Sequence, residues 1–276
     1  MRNLIRMNDY NKADILYIFD MADMIQSGQY RNFLSQKTVL LFFPTSSIRT
    51  RVTYEKGIHQ LGGQAILFPS EALDKKEKPE DVIRYLNNWA DAVIIRHPDI
   101  EVIEELASYS RVPVINAMTG VNHPCEIISD LYALSKLRTD YLDLHYLFVG
   151  ARGNIGLAWK EASDLMGFSF TQCCPPAYEM DNVHVMHDIY QAMVNKDIVL
   201  TDSLGNDQLR AFQGYQITCE LMGLANENAL FNPCPPFYRG EEVSADVIDS
   251  KYFVGYEFKK SLLEVQQAII LFNMMN

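Results

Sequence analysis

The 276-residue sequence is poor in most features that would announce a cofactor or a membrane. Its cysteines, Cys125, Cys173, Cys174, Cys219 and Cys234, are odd in number and contain no CxxC pair. Neither a disulfide framework nor a zinc site is indicated, and a reducing cytoplasm is the expected compartment. None of the six histidines belongs to an HExxH motif, and neither a metal nor another cofactor is expected. Acidic residues interrupt every apolar stretch near the N-terminus. No signal-peptide core and no span of about 20 apolar residues is visible, so a membrane is not an expected partner. Positive charge is also scarce. With 24 Lys and Arg against 35 Asp and Glu, the net charge is -11, which excludes general attraction to nucleic acid. Binding an anion would require gathering a few cations in one place.

What is present is ordinary for a globular enzyme, with 48% hydrophobic and 21% charged residues. The length suits two α/β domains of roughly 130 residues each. Short β-branched or aromatic runs alternate with amphipathic stretches. Strands are expected at Thr38–Phe43, Ala65–Phe68, Ala92–Ile95 and Pro113–Asn116, then at Leu144–Val149, Phe168–Gln172, Ile198–Thr201, Ala229–Phe231 and Tyr252–Gly255. Helices are expected at Arg51–Leu61, Glu80–Trp89, Glu101–Ser108 and Pro124–Leu137. This alternation implies βαβ crossovers: an α/β protein of two domains, each a parallel sheet flanked by helices. The boundary is expected near residue 138, giving 1–138 and 139–276. Lys260–Met275 reads as an apolar helix able to pack across either half.

The segment Phe42-Phe43-Pro44-Thr45-Ser46-Ser47-Ile48-Arg49-Thr50-Arg51 follows a strand and opens a helix. Backbone N–H groups at such a junction, with the positive end of the helix dipole, suit a phosphate. Ser47 and Thr50 can add hydroxyls, and Arg49 a forked guanidinium. An N-cap serine followed by surface arginines is the plainer reading of this segment by itself. Arg96-His97-Pro98 and Asn122-His123-Pro124-Cys125-Glu126 end two further strands. Carboxyl ends of parallel strands share one edge of a sheet, where ligands bind. Ser47, Arg49, Arg96 and His123 can therefore converge although they are distant in sequence.

The SxRTR of Ser47–Arg51, the RHP of Arg96–Pro98 and the HPC of His123–Cys125 occur in this order, followed by Phe148-Val149-Gly150. Together they resemble the aspartate/ornithine carbamoyltransferase family, with the likeness extending from about Val39 to the C-terminal helix. The resemblance implies transfer of a carbamoyl group from carbamoyl phosphate to a small amine-bearing substrate, in a cleft between the two halves. Carbamoyl phosphate would meet Ser47, Ile48, Arg49 and Thr50 through its phosphate. Arg96 and His123 would be the catalytic donors to its carbonyl, with Glu126, Cys234 and Lys259 also lining its site. The helix at 259–276 would return to the first domain. A homotrimer or a multiple of trimers is implied as well, with Lys75, Lys76 and Lys78 in the place of a loop that reaches a neighbour's site. A flexible lysine-rich surface loop is the plainer reading there.

The acceptor half resembles the ornithine type. Asp202 in Thr201-Asp202-Ser203-Leu204-Gly205 would repel an acidic substrate and attract an ammonium group, and Asn154 would contact the amino acid beside Ser203 and Leu204. An N-cap role for Asp202 is the alternative. The sequence also departs from the family. Glu126 stands where glutamine is usual, and Ile48 where threonine is. Asn232-Pro233-Cys234-Pro235 replaces His-Cys-Leu-Pro, and Lys259 falls where an arginine commonly contacts carbamoyl phosphate. These departures keep a second reading open, a catalytically weak or silent member that binds carbamoyl phosphate as a regulator. Gly150-Ala151-Arg152-Gly153-Asn154-Ile155-Gly156 offers GxxGxxG rather than the dinucleotide fingerprint, which argues against a dehydrogenase.

Overall fold

A computed structural model describes residues 2–275. The chain forms two compact units, Met1–Ala133 with Lys259–Asn276, and Leu134–Phe258. In the first unit the elements run α1 (Lys12–Gln26), β1 (Thr38–Phe42), α2 (Arg49–Gln60), β2 (Gln64–Phe68), α3 (Pro79–Leu86), β3 (Ala92–Arg96), α4 (Ile100–Tyr109), β4 (Val114–Met118) and most of α5 (Pro124–Leu137), whose last residues, from Leu134, belong to the second. The second unit contains β5 (His145–Val149), α6 (Asn154–Met166), β6 (Ser169–Cys173), β7 (His184–Met186), α7 (Ile189–Met193), β8 (Ile198–Thr201), α8 (Cys219–Met222), β9 (Leu230–Pro233) and α9 (Ala245–Ile248). A final helix, α10 (Leu262–Met275), belongs to the first unit.

Both sheets are parallel, in the orders β2-β1-β3-β4 and β7-β6-β5-β8-β9. Their central strands are continuous apolar runs because helices cover both faces. Val39, Leu41, Ile94 and Val114 in one sheet, and Leu147, Val199 and Phe231 in the other, are buried. Each such side chain contributes about 1.5–3 kcal/mol relative to exposure. In the first sheet the chain moves outward from β1 to β2, then returns to the other side of β1 for β3 and β4. Order therefore reverses between β1 and β3. In the second sheet it reverses between β5 and β8. A crevice opens at the carboxyl ends of strands at such reversal points.

The expected C-terminal helix forms and packs on α1 and α2. Phe272 meets Tyr10 and Tyr17 edge-on at centroid separations of 5.1 and 6.1 Å. Gln267 Nε2 donates to the Gly57 carbonyl at 2.9 Å, an approach that any larger residue at 57 would crowd.

Besides helices that the sequence reading did not name (α1, α6, α7, α8 and α9), three differences from expectation stand out. Tyr252–Gly255 is not a strand: one parallel bridge joins Phe253 to Phe231, and Gly255, at φ 81°, turns the chain away. β7 is an additional strand of three half-exposed or exposed residues, too short to show a period. α2 begins at Arg49 rather than Arg51, placing Arg49 and Thr50 in its first turn.

Candidate active site

In the first unit, the loop leaving β1 turns at Ser47, whose N–H donates to the Pro44 carbonyl at 2.9 Å. Ser47 and Thr50 are buried, while Ile48 is 71% exposed. Ile48 is the N-cap of α2 and its side chain caps nothing. The first bond of the helix runs from Val52 N–H to the Ile48 carbonyl at 3.1 Å, so the amides of residues 49–51 precede the helical ladder. They form a positively polarised terminus.

β3 delivers Arg96 to the same edge. Pairing with β4 slips between Ile95 and Arg96, and a bulge of this kind re-aims the following side chain. Arg96 Nη1 donates to Ser47 Oγ at 3.3 Å. The adjacent His97 faces elsewhere: its Nδ1 accepts from Asp99 N–H at 3.1 Å, leaving Nε2–H to donate to Asp74 Oδ1 at 2.9 Å. His97 thus ties the Asp74 end of the Lys75–Lys78 segment to β3.

β4 delivers His123 through a buried polar corner. Asn116 Nδ2 donates to Asn122 Oδ1 at 2.6 Å and to the Ile5 carbonyl at 2.8 Å. Thr119 Oγ accepts from Asn122 N–H at 3.1 Å, and Thr119 N–H donates to the Asn122 carbonyl at 2.9 Å. These bonds set the chain direction immediately before His123. It is 5% exposed, and its buried Nδ1 has no hydrogen-bond partner among the described residues. Burial, with Arg96 and Lys259 adding to it and Glu126 opposing, pushes its pKa down to about 4. At neutral pH it is an uncharged imidazole. The neighbouring Cys125 is pushed up to about 12, chiefly by burial, and its Sγ takes a bond from Tyr54 at 3.1 Å. It is an inert thiol.

Glu126 is also buried, yet it stays ionised. Burial raises its pKa, but Lys259, His123 and Arg49 outweigh that and hold it below the ordinary carboxylate value. The Lys259 ammonium lies 2.9 Å from Glu126 Oε1 and 2.6 Å from Asp130 Oδ1. Lys259, expected to line the carbamoyl phosphate site, is engaged by two carboxylates. The first unit therefore brings together Ser47, Thr50, Arg49, Arg96, His123, Glu126 and Lys259. Asp130 was not foreseen, although Glu126 and Asp130 lie four apart, on one face of a helix.

In the second unit, Asp202 follows β8 and Asn154 opens α6. No helix follows Asp202, so it is not an N-cap; its Oδ1 accepts from Ser203 N–H at 2.9 Å. Burial chiefly, with Glu242 contributing, pushes the Asp202 pKa up to about 6. Glu242 is buried too, with Oε1 accepting from Tyr238 N–H at 2.7 Å and Oε2 without a hydrogen-bond partner among the described residues. Its part in this acidic pair carried no motif in the sequence. Ser203 and Leu204 are half-buried, and Cys234 N–H donates to the Thr201 carbonyl at 2.9 Å. The glycine-rich run after β5 serves packing: a side chain at Gly150 or Gly156 would lie 2.8 or 2.7 Å from the Phe148 ring.

Residues 2–136 match the family model for the carbamoyl-P binding domain of aspartate/ornithine carbamoyltransferase, and residues 142–273 match that for its Asp/Orn binding domain. The chain belongs to the aspartate/ornithine carbamoyltransferase family. An ornithine carbamoyltransferase of Geobacter metallireducens is 31% identical, over 98% of this chain and 98% of that protein. The crystal structure of ornithine carbamoyltransferase from Burkholderia thailandensis superposes with a TM-score of 0.92 at 30% identity, covering 100% of this chain and 99% of the other. That from Pyrococcus furiosus gives 0.94 at 27% identity, covering 100% and 97%. In this carbamoyltransferase the cationic cluster falls within the carbamoyl-P part and the acidic pair within the Asp/Orn part.

Proposed function

We propose that this carbamoyltransferase moves the carbamoyl group of carbamoyl phosphate onto the amine of ornithine or a closely related cationic amine. The amine nitrogen attacks the carbonyl carbon, a C–N bond forms, and the C–O bond to phosphate breaks. The amine proton leaves with the released phosphate. No covalent enzyme intermediate is needed. The observation that carries this reading is the convergence of Ser47, Arg49, Arg96 and His123 at one sheet edge. Ser47, Thr50, Arg49 and the amide of Ile48 would hold the phosphate and offset the charge it gains on leaving. Arg96 and neutral His123 would donate to the carbonyl oxygen as negative charge develops there.

For the acceptor, Asp202 with Glu242 beside it supports an ammonium ligand and disfavours a carboxylate. Asn154, Ser203 and Leu204 would contact the remainder of the acceptor. Cys234 would offer its carbonyl to the carbamoyl NH2. Ornithine is the acceptor in the names of the relatives above. A homotrimer or multiple of trimers is part of this reading. Ile48, Val52 and Ile66 are exposed on α2 and the edge strand β2, and Lys75, Lys76 and Lys78 project as an exposed segment suited to a neighbour's anion site. Five free thiols suit the cytoplasm. No helix among the described residues is long and apolar enough to cross a membrane.

Steady-state kinetics of two variants test the residue roles. His123→Ala should lower kcat by about a hundredfold to a thousandfold, as loss of one oxyanion donor does, with much less effect on the affinity for inorganic phosphate. Arg49→Ala should lose both rate and phosphate affinity. Equal losses of phosphate affinity in the two variants would contradict this division of labour.

A further inference from the structure

Glu126 and Asp130 lie one turn apart in α5 and are 7% and 3% exposed. Two carboxylates so placed would repel each other and any anion nearby. The structure places the Lys259 ammonium, carried by the segment that leads into α10, between them. Its Nζ stands 2.9 Å from Glu126 Oε1 and 2.6 and 2.8 Å from the two Asp130 oxygens. Glu126 Oε2 has no hydrogen-bond partner among the described residues, whereas Oε1 is committed to Lys259. An ionised carboxylate accepts hydrogen bonds and donates none. The oxygen left over is therefore an acceptor, in a carboxylate on which Lys259 and Arg49 act as opposite charges.

We propose that Lys259 is a positioning residue: it fixes Glu126 as an ionised acceptor whose Oε2 receives the carbamoyl NH2, and cancels the charge that would otherwise expel the phosphorylated ligand. The inference rests on the reading of this site as a carbamoyl phosphate site and adds a source of selectivity to it. A donor bearing NH2 satisfies Oε2; acetyl phosphate, with a methyl group there, leaves a buried carboxylate oxygen unpaired and is rejected. Lys259 itself touches neither the phosphate nor the carbonyl, since its ammonium is spent on two carboxylates.

The test compares Lys259→Met with the double variants Lys259→Met/Glu126→Gln and Lys259→Met/Asp130→Asn. Carbamoyl phosphate kinetics, inorganic phosphate binding and melting temperature are measured on each. Lys259→Met should lose roughly a hundredfold in kcat/KM for carbamoyl phosphate, the scale expected when a buried charge loses its partner. Glu126→Gln should recover most of that loss, because an uncharged amide oxygen still accepts from NH2. Asp130→Asn should not. Recovery through Asp130→Asn alone, tracking the melting temperature, would make Lys259 a structural staple and overturn the proposal. Weakened phosphate binding that Glu126→Gln fails to restore would make Lys259 a direct phosphate ligand, with the same consequence. If Lys259→Met does not fold, Lys259→Gln, which keeps hydrogen bonds but not charge, takes its place in each comparison. Wild-type protein that fails to bind carbamoyl phosphate overturns the functional reading and this inference together. Wild-type turnover without second-site recovery overturns only the inference.

Discussion

Burial sets the protonation states on which the chemistry depends, and it acts in opposite directions on His123 and Asp202. With its pKa down to about 4, His123 binds fewer protons folded than unfolded between that value and 6.5. Its contribution to stability is therefore complete above pH 6.5 and is lost as pH falls toward 4. A neutral imidazole also stays available as a donor throughout the physiological range. Asp202, with its pKa raised to about 6, binds more protons folded than unfolded from its ordinary value up to 6. It makes the fold less stable as pH rises through that window, and only above it presents the full negative charge an ammonium ligand needs. The KM for a cationic acceptor is accordingly expected to climb toward tenfold per unit as pH drops below about 6. In Asp202→Asn the KM should be raised and that climb should vanish. A KM profile unchanged by the substitution, measured from pH 5 to 8, would remove Asp202 from acceptor binding.

At the scale of elements, the site exists because strand order reverses between β1 and β3, which leaves a crevice into which the α2 terminus, Arg96 and the corner before α5 all project. Asn122 is the keystone of that corner, bonded to Asn116 and Thr119. Asn122→Ala should cost about 1–3 kcal/mol by leaving buried donors unsatisfied, seen as a lower melting temperature and a fall in carbamoyl transfer out of proportion to any change in phosphate affinity. Unchanged melting would show that the corner is held some other way. This network was not legible in the sequence, where Asn116, Thr119 and Asn122 form no motif. The buried central strands were legible, because apolar runs between helical periods admit few alternatives. β7 was missed for want of length, and Tyr252–Gly255 was read as a strand on composition although only Phe253 pairs. The SxRTR, RHP and HPC segments were legible because each lies at or soon after the carboxyl end of a strand, in the same order along the chain. Within RHP the resemblance singled out Arg96; what the sequence did not show is the work of its neighbour His97, whose bonds to Asp74 and Asp99 make it structural.

For the whole molecule, a net charge of -11 coexists with an anion site because Arg49, Arg96 and Lys259 are gathered at one edge of one sheet, while the second unit concentrates negative charge at Asp202 and Glu242. Charge is thus sorted between the units, an anionic donor to the first and a cationic acceptor to the second. The acidic residue after β8, Asp202, was legible in the sequence, and the Lys259 arrangement was not, because it depends on α10 returning to the first unit across more than a hundred residues. Phosphate release from carbamoyl phosphate, followed across ornithine, putrescine, lysine and aspartate as acceptors, tests this sorting most directly. The expected result is turnover with ornithine or another cationic amine and none with aspartate. Turnover with aspartate alone would contradict it.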